Sequence, residues 1–164
     1  MNTFFKDENY KMPITSNYMK LLEGSNKFRV LGSSIVGYEY FNNENKPVRS
    51  REPFDETPDM KKDGRVNHFW FFPVWNYAAD KVQLLEITQK SIQGQMKDYI
   101  DSPDWGSPFD YDFQINRKGT SKMDTEYKVI ALPHKPLDEE IKKKYEDMEI
   151  NLEMLFLGKD PFAK

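Results

Sequence analysis

Residues 68–77, HFWFFPVWNY, form the densest aromatic run in the chain and give the strongest indication of its fold. Its composition favours a β-strand, and the proline within it restricts that strand to a sheet edge, a bulge or a break. Alternate side chains of a strand face opposite sides, so Phe69 and Phe71 point away from Trp70 and Phe72. One of the two sets is therefore expected to face solvent, to be covered by a long loop, or to contact a ligand.

The segments on either side of this stretch also favour strands. Residues 28–41 form a strand-like pattern that Gly32 and Gly37 interrupt, which is typical of a strongly bent or bulged strand. Residues 82–87, VQLLEI, follow a turn and form a third strand. Between the first two strands, residues 42–67 are polar, contain three prolines and show no periodicity, so we expect a long loop outside the core.

The period then changes from two to that of a helix. Thr88 is a candidate N-cap, and apolar residues from Ile92 to Ile100 fall on one helical face, which Ser102-Pro103 ends. Residues 109–115 and 127–132 alternate as a fourth and a fifth strand. Beyond Pro136, a single apolar stripe predicts an amphipathic helix packed on the sheet.

This order predicts a mainly β fold, a five-stranded OB-fold Greek-key barrel with a helix between strands 3 and 4 and a C-terminal amphipathic helix. Other small barrels are consistent with the same pattern. The expected domain organisation is an N-terminal arm over residues 1–26, the barrel over 27–136 with its loop at 42–67, and the C-terminal helix and tail over 137–164.

Composition excludes several classes of function. The chain has 164 residues and no cysteine, so it forms no disulfide, thiolate zinc site or cysteine nucleophile. No apolar run approaches the roughly 18 residues of a membrane span, and no signal peptide is visible at the start. Aromatic residues nevertheless reach 15% while the net charge is −3, so the distribution of charge has to be considered.

The formal acidity lies wholly beyond Lys135, since basic and acidic residues are equal in number up to that position. Residues 27–51 carry five basic against two acidic residues, and Arg117, Lys118 and Lys122 form a second basic group. Such local patches determine attraction to a polyanion when salt screens longer-range fields. Either group alone is equally typical of a solvated turn.

Rings interleaved with basic residues fit single-stranded nucleic acid, in which exposed bases stack on aromatic side chains and phosphates contact basic ones. We therefore predict a sequence-tolerant binder of single-stranded DNA, without catalysis or cofactor. Stacking does not distinguish DNA from RNA, because it does not involve the 2′-hydroxyl. The stacking candidates are Tyr38, Tyr40, Trp70, Phe72, Trp75 and Trp105, and the phosphate-contact candidates are Arg29, Arg49, Arg51, Arg117 and Lys118.

Three other interpretations follow from the same residues. The aromatic patch is equally typical of a protein-interaction module that docks a partner chain. Pro103-Asp104 followed by Glu126-Tyr127-Lys128 matches a loose metal-dependent nuclease pattern, which chance readily produces in a chain with 27 acidic residues. His68 and His134 lack the spacing of a metal site, so no metal is expected.

Several motifs in order resemble the single-stranded-DNA-binding (helix-destabilising) proteins of tailed bacteriophages. The resemblance runs from about residue 27 to 156. Its segments are KFRVL at 27–31, VQLLEITQKSIQGQM at 82–96, DWGSPFDYD at 104–112, NRKG at 116–119 and DTEY at 124–127.

The resemblance implies an OB-fold that coats single strands during phage DNA replication, recombination and repair in the cytoplasm of the infected bacterium. It also implies contacts with replication or recombination proteins. Two features of such proteins do not carry over. Residues 42–67 contain no cysteine for the zinc module that some relatives carry, and residues 157–164 contain no acidic run of the kind that recruits partners in many of them.

Overall fold

The computed structural model describes residues 4–10, 12, 14–56 and 59–163. The prediction of a mainly β fold is confirmed. The strands are β1 Gly24–Val30, β2 Ile35–Phe41, β3 Pro47–Ser50, β4 Asn67–Asn76, β5 Lys81–Ile87, β6 Asp112–Lys118 and β7 Glu126–Ala131. The helices are α1 Lys90–Asp101, α2 Glu139–Met148 and a 3₁₀ helix, Leu152–Leu157.

The strands form one open antiparallel sheet in the order β3-β2-β4-β1-β6-β7, with β5 paired to β4. Strand β4 pairs with β5 over residues 70–76, with β2 over 67–71 and with β1 over 74–76. Because β5 overlaps both β1 and β2, those two strands must share the opposite edge of β4. They therefore act as successive halves of one bent strand.

Residues 31–34 separate β1 from β2, which confirms the predicted bend at Gly32. A Cβ at Gly32 would lie 2.2 Å from the hydroxyl oxygen of Tyr145 on α2, so a larger residue would displace the Tyr145 side chain. Gly37 lies inside β2, where a Cβ would lie 2.4 Å from the carbonyl oxygen of Ser50 on β3.

The prediction that residues 42–67 lack any strand is wrong, because β3 lies within this range and pairs with β2.

Apolar side chains cover both faces of β4. Phe72 and Val74 belong to the larger core between the strands and α1, whereas Phe69 and Phe71 belong to a second core. Leu155 of the 3₁₀ helix is buried in that second core, which also contacts other C-terminal apolar residues. The second set of rings is thus covered by the C-terminal segment, not by the long loop as one of the sequence alternatives had it.

Helix α1 covers the exposed edge of β7 through glutamine side chains. The Gln95 amide donates to the carbonyl oxygen of Tyr127 (3.0 Å) and accepts from the backbone nitrogen of Val129 (2.8 Å), as a neighbouring strand would. Gln93 donates to backbone carbonyls at the ends of β4 and β5. Such cover protects an unpaired edge. The helix is capped by Gln89, not by Thr88, and Gln89 makes no side-chain cap bond.

Both termini depart from the predicted pattern. Residues 24–26 belong to β1 instead of a turn, and the arm before them docks through Met19, which is buried and donates its backbone nitrogen to Leu84 on β5 (2.8 Å). The predicted continuous C-terminal helix is wrong. Glu149 adopts a left-handed conformation (φ 49°) that ends α2, and the chain resumes as the 3₁₀ helix.

Candidate nucleic-acid interface

Half-buried rings follow one face of β2 and β4. Tyr38 and Tyr40 alternate along β2, Tyr38 lies opposite His68 on β4, and Trp70 lies two residues further along the same face. The ring centroids of Tyr38 and His68 are 5.1 Å apart. These four residues, called here the aromatic strip, keep part of their surface in solvent.

The strip extends between two concave surfaces. At one end Trp70 and Phe109 line a small apolar cavity of about 90 Å³. At the other end Tyr38 and His68 line a cavity of about 620 Å³ with Phe54 and Lys90. Phe54 also packs edge-on against Tyr40, with ring centroids 4.9 Å apart, so a loop residue extends the aromatic surface.

The second end of the strip carries charges of both signs, because its cavity is lined by Lys90, the first residue of α1, and by Asp55 and Glu56. Arg117 lines a further cavity of about 610 Å³ with Arg65 and Lys122. This cavity lies next to the cavity at the second end of the strip. Arg65 and Gln89 line the former, and the residues that follow them in the chain, Val66 and Lys90, line the latter.

The structure therefore brings four of the predicted site residues to this surface, the rings of Tyr38, Tyr40 and Trp70 and the basic Arg117. Lys118 is exposed, but it follows Arg117 directly in β6 and therefore faces the other side of the sheet. Phe72 and Trp75 are buried (3% and 4% exposed), so their prediction as stacking residues is wrong. Phe72 faces the main core, and the Lys144 ammonium lies 5.4 Å from the ring centroid of Trp75.

Arg29, predicted as a phosphate contact, is 1% exposed and every polar contact it makes is internal. One guanidinium nitrogen lies 3.2 Å from the Asp112 carboxylate, and the others donate to the carbonyl oxygens of Phe109 and Lys135. The prediction is wrong, because strand pairing places Arg29 directly opposite Asp112 on β6. A buried charge is tolerated when it is paired and hydrogen-bonded in this way.

Asp112 also organises its other neighbours. The Tyr77 hydroxyl donates to both carboxylate oxygens (2.9 and 3.0 Å), and Lys135 lies 3.1 Å away at the surface. Burial, followed by the hydrogen bond to Asp112 and its charge, raises the pKa of Tyr77 to about 12. The group of charges therefore joins β1, β6 and the chain after β7 and has a structural role.

Arg49 and Arg51 lie on the opposite face of the sheet from the strip, where the C-terminal segment covers Arg49 and leaves Arg51 largely exposed. Arg49 is paired with Glu39 (3.0 Å), and its side chain is 11% exposed. Arg51 forms an ion pair with Glu153, and its guanidinium lies 4.5 Å from the ring centroid of Phe156. Neither arginine joins the strip, because β3 directs both toward residues of the C-terminal 3₁₀ helix.

A carboxyl pair lies beside Arg49 on that covered face. Glu86 is largely buried, and its Oε2 has no hydrogen-bond partner among the described residues. Burial, followed by hydrogen bonding with the neighbouring Glu39 carboxyl and repulsion from its charge, raises the pKa of Glu86 to about 9, while Arg49 opposes the shift. Glu86 is therefore protonated at neutral pH.

Trp105 lies apart from the strip, in the loop after α1. Its ring stacks on His134 with centroids 5.4 Å apart and packs edge-on against Tyr99 and Tyr111. The Nε2 of His134 lies 2.7 Å from the Trp105 carbonyl oxygen. This group fastens the loop to the sheet and does not extend the aromatic surface of β2 and β4.

Sequence reasoning missed two groups of residues at the interface. His68 was considered only for metal binding, although it lies two positions before Trp70 in a strand and therefore shares its face. Phe54 and Lys90 carry no local signal, because a loop and a helix start bring them there. The Nδ1 of His68 lies 2.8 Å from the Gly37 carbonyl oxygen, so the ring is held in place.

The described residues contain no group of three or more histidine, aspartate or glutamate side chains that could hold a metal ion. None of the helices within them is long and apolar enough to cross a membrane.

No protein-family model, no curated protein and no solved structure matches this chain. A function is therefore argued from the strands, rings and charges of the chain itself.

Proposed function

We propose that the sheet is an OB-fold barrel whose first strand is divided into β1 and β2. In the partly open Greek-key barrel of that fold, five strands pair around a core and a helix follows the third. Here β1 with β2, then β4, β5, β6 and β7, supply five such strands, and α1 lies between the third and the fourth. Strand β3 is then an addition within the first loop.

The incomplete closure supports this assignment. Strands β5 and β7 are not paired in the described part of the chain, and the glutamines of α1 contact the ends of both. A helix at that position closes the barrel where the ladder is open. The large core, with Phe28, Phe113 and Ile115 fully buried, lies inside the five strands.

On this barrel we infer a sequence-tolerant site for single-stranded DNA along the aromatic strip. The observation that carries the proposal is the row of Tyr38, Tyr40, His68 and Trp70, partly exposed beside Lys90 and the basic cavity around Arg117. Rings stack on any base, at about 1–3 kcal/mol each, and basic side chains follow the phosphates. Binding should therefore depend little on sequence and strongly on salt.

The biological setting in this proposal rests on the resemblance to the helix-destabilising proteins of tailed phages. A coat of such protein on single strands serves DNA replication, recombination and repair in the cytoplasm of the infected bacterium. Replication or recombination proteins are the partners that fit such a role. The chain itself is proposed to bind, without catalysis or cofactor.

Fluorescence anisotropy with labelled oligo-dT tests the proposal. We expect saturable binding whose affinity falls steeply between 50 and 200 mM salt, as release of counterions requires. The double variant Tyr38→Ala/Tyr40→Ala should weaken binding about thirtyfold or more, because it removes two rings that each contribute about 1 kcal/mol or more. Tyr10→Ala, which removes an exposed ring far from the strip in sequence, is the matched control and should bind as the parent chain does.

A second candidate function is docking of a partner protein on the same surface. Val36 on β2, Val66 beside the strip and Phe109 at its Trp70 end are 49%, 37% and 42% exposed, and exposed apolar clusters mark interaction sites. This alternative predicts no binding of oligo-dT at either salt concentration and capture of a partner chain that Tyr38→Ala/Tyr40→Ala abolishes. Salt-dependent oligo-dT binding lost in the same variant would favour the first function.

A further inference from the structure

A cavity of about 610 Å³ lies between the loop before β4 and the turn that joins β6 to β7. It brings together three cationic side chains from distant parts of the chain, Arg65, Arg117 and Lys122. We infer that this cavity is a discrete phosphate-binding site. The inference rests on the proposed function, whose strip it adjoins, and it identifies where one phosphate group is held.

The three cations that line the cavity have no ion-pair partner. No ion pair in the described part of the chain involves Arg65, Arg117 or Lys122. Arg117 donates one guanidinium nitrogen to the carbonyl oxygen of Leu21 (2.8 Å), but its Nε is buried and has no hydrogen-bond partner among the described residues. A buried donor left unpaired is unfavourable, and an oxyanion in the cavity supplies the acceptor.

The residues that line the cavity carry an excess of positive charge. Asp63 is the one acidic residue that lines the cavity among those described, so the three cations leave a net charge of about +2 there. The nearby Asp124 carboxylate accepts from the backbone and the hydroxyl of Ser121 (3.0 and 2.6 Å). Those hydrogen bonds lower its pKa, and they commit the carboxylate to the turn instead of to a cation.

The turn after β6 and the Arg117 side chain are held in place without a ligand. Gly119 ends β6 with φ +92°, and a Cβ there would lie 2.4 Å from the Asp124 carbonyl oxygen, so the turn is tightly closed. Arg117 is fixed by β6 and by its bond to Leu21. Neutral donors from Gln89 and Thr120 complete the lining. A basic pocket with polar side chains and one fixed arginine fits a compact, multiply charged oxyanion better than an extended apolar ligand.

The phosphate group at this site has two candidate sources. One is a free phosphate or nucleotide, and the other is the backbone of a bound DNA strand. NMR of the arginine Nε–Hε signals distinguishes them, with Arg117→Lys used to assign the Arg117 signal. One titration uses inorganic phosphate against sodium chloride of equal ionic strength, and the other uses oligo-dT. We expect the Arg117 signal to shift saturably with phosphate but not with chloride, and to shift with oligo-dT to the same bound position.

Variants give the second readout. Arg65→Ala and Lys122→Ala, which remove cations that line the cavity, should each raise the Kd for inorganic phosphate by about three- to tenfold, as expected for loss of a charged contact. Lys128→Ala, an exposed cation on β7 outside the lining, is the matched control and should leave that Kd unchanged.

The outcomes separate this inference from the proposed function. An Arg117 signal that does not respond to phosphate, or a Lys128→Ala effect equal to that of Arg65→Ala, would overturn the phosphate site even if oligo-dT binds. A phosphate response without any binding of oligo-dT would support the site and overturn the proposed function. A response to oligo-dT that Arg65→Ala and Lys122→Ala leave unaltered would place the strand elsewhere and refute the inference.

Discussion

The buried carboxyl of Glu86 makes a defined prediction about stability and pH. Glu86 lies on β5 beneath the C-terminal segment, with the Glu39 carboxyl beside it and Arg49 as the only opposing influence on its pKa. Burial favours the protonated form, so its pKa rises from the ordinary 4.5 to about 9 in the folded protein. Glu86→Gln replaces the protonated carboxyl by a neutral amide of similar shape.

The magnitude follows from proton linkage. Between the unfolded-state pKa and the folded-state pKa, the folded chain holds up to one proton more than the unfolded chain. The free energy of unfolding therefore falls as pH rises through that range, by up to about 1.4 kcal/mol per pH unit. From pH 6 to pH 8 the loss attributable to the carboxyl pair reaches at most about 2.7 kcal/mol, and it ceases above about pH 9.

Urea unfolding at pH 6, 7 and 8 measures this dependence. We expect the free energy of unfolding of the parent chain to fall across this range, and that of Glu86→Gln to change distinctly less. Glu52→Gln, at an exposed position, is the matched control and should retain the parent slope. Equal slopes in the parent chain and in Glu86→Gln would show that no proton is held at the carboxyl pair, and the reasoning would then be refuted.

Three further changes test the packing of the sheet. Arg29→Met should lower the free energy of unfolding by about 3–5 kcal/mol in urea, because Asp112 stays buried without its main partner; a loss below 1 kcal/mol would contradict the structural role. Leu155→Ala should cost about 2–4 kcal/mol in the same assay by opening a cavity over the second core, and no loss would mean that the C-terminal segment does not cover it. Gln95→Ala should cost about 1–3 kcal/mol and speed hydrogen exchange at the Val129 amide, whose unchanged protection would argue against edge closure by α1.

Local pattern predicted the parts of the fold that depend on local chemistry. The aromatic stretch of β4, the alternation in β6 and β7 and the helical period of α1 each follow from residues close in sequence. Strand β3 has only four residues and no alternation, so it exists because β2 offers it an edge. The end of α2 depends on a left-handed Glu149, which no local composition predicts.

The candidate site shows the same division. Tyr38 and Tyr40, both predicted as stacking residues, share one face of β2, because the period of a strand is a property of the backbone. The burial of Arg29 depends on Asp112, which lies 83 residues further along the chain. Arg49 and Arg51 were likewise predicted as free cations, but the C-terminal segment meets them from more than 100 residues away. Pairing over such distances leaves no trace in a local charge pattern.

We propose that single-stranded DNA lies along the aromatic strip and the basic cavity next to it. Backbone amide chemical shifts recorded during a titration with oligo-dT test this proposal. We expect the largest changes on β2 from Val36 to Tyr40, on His68 and Trp70 of β4, and around Arg117. Changes confined to the face beneath the C-terminal segment, or no changes at saturating oligo-dT, would contradict it.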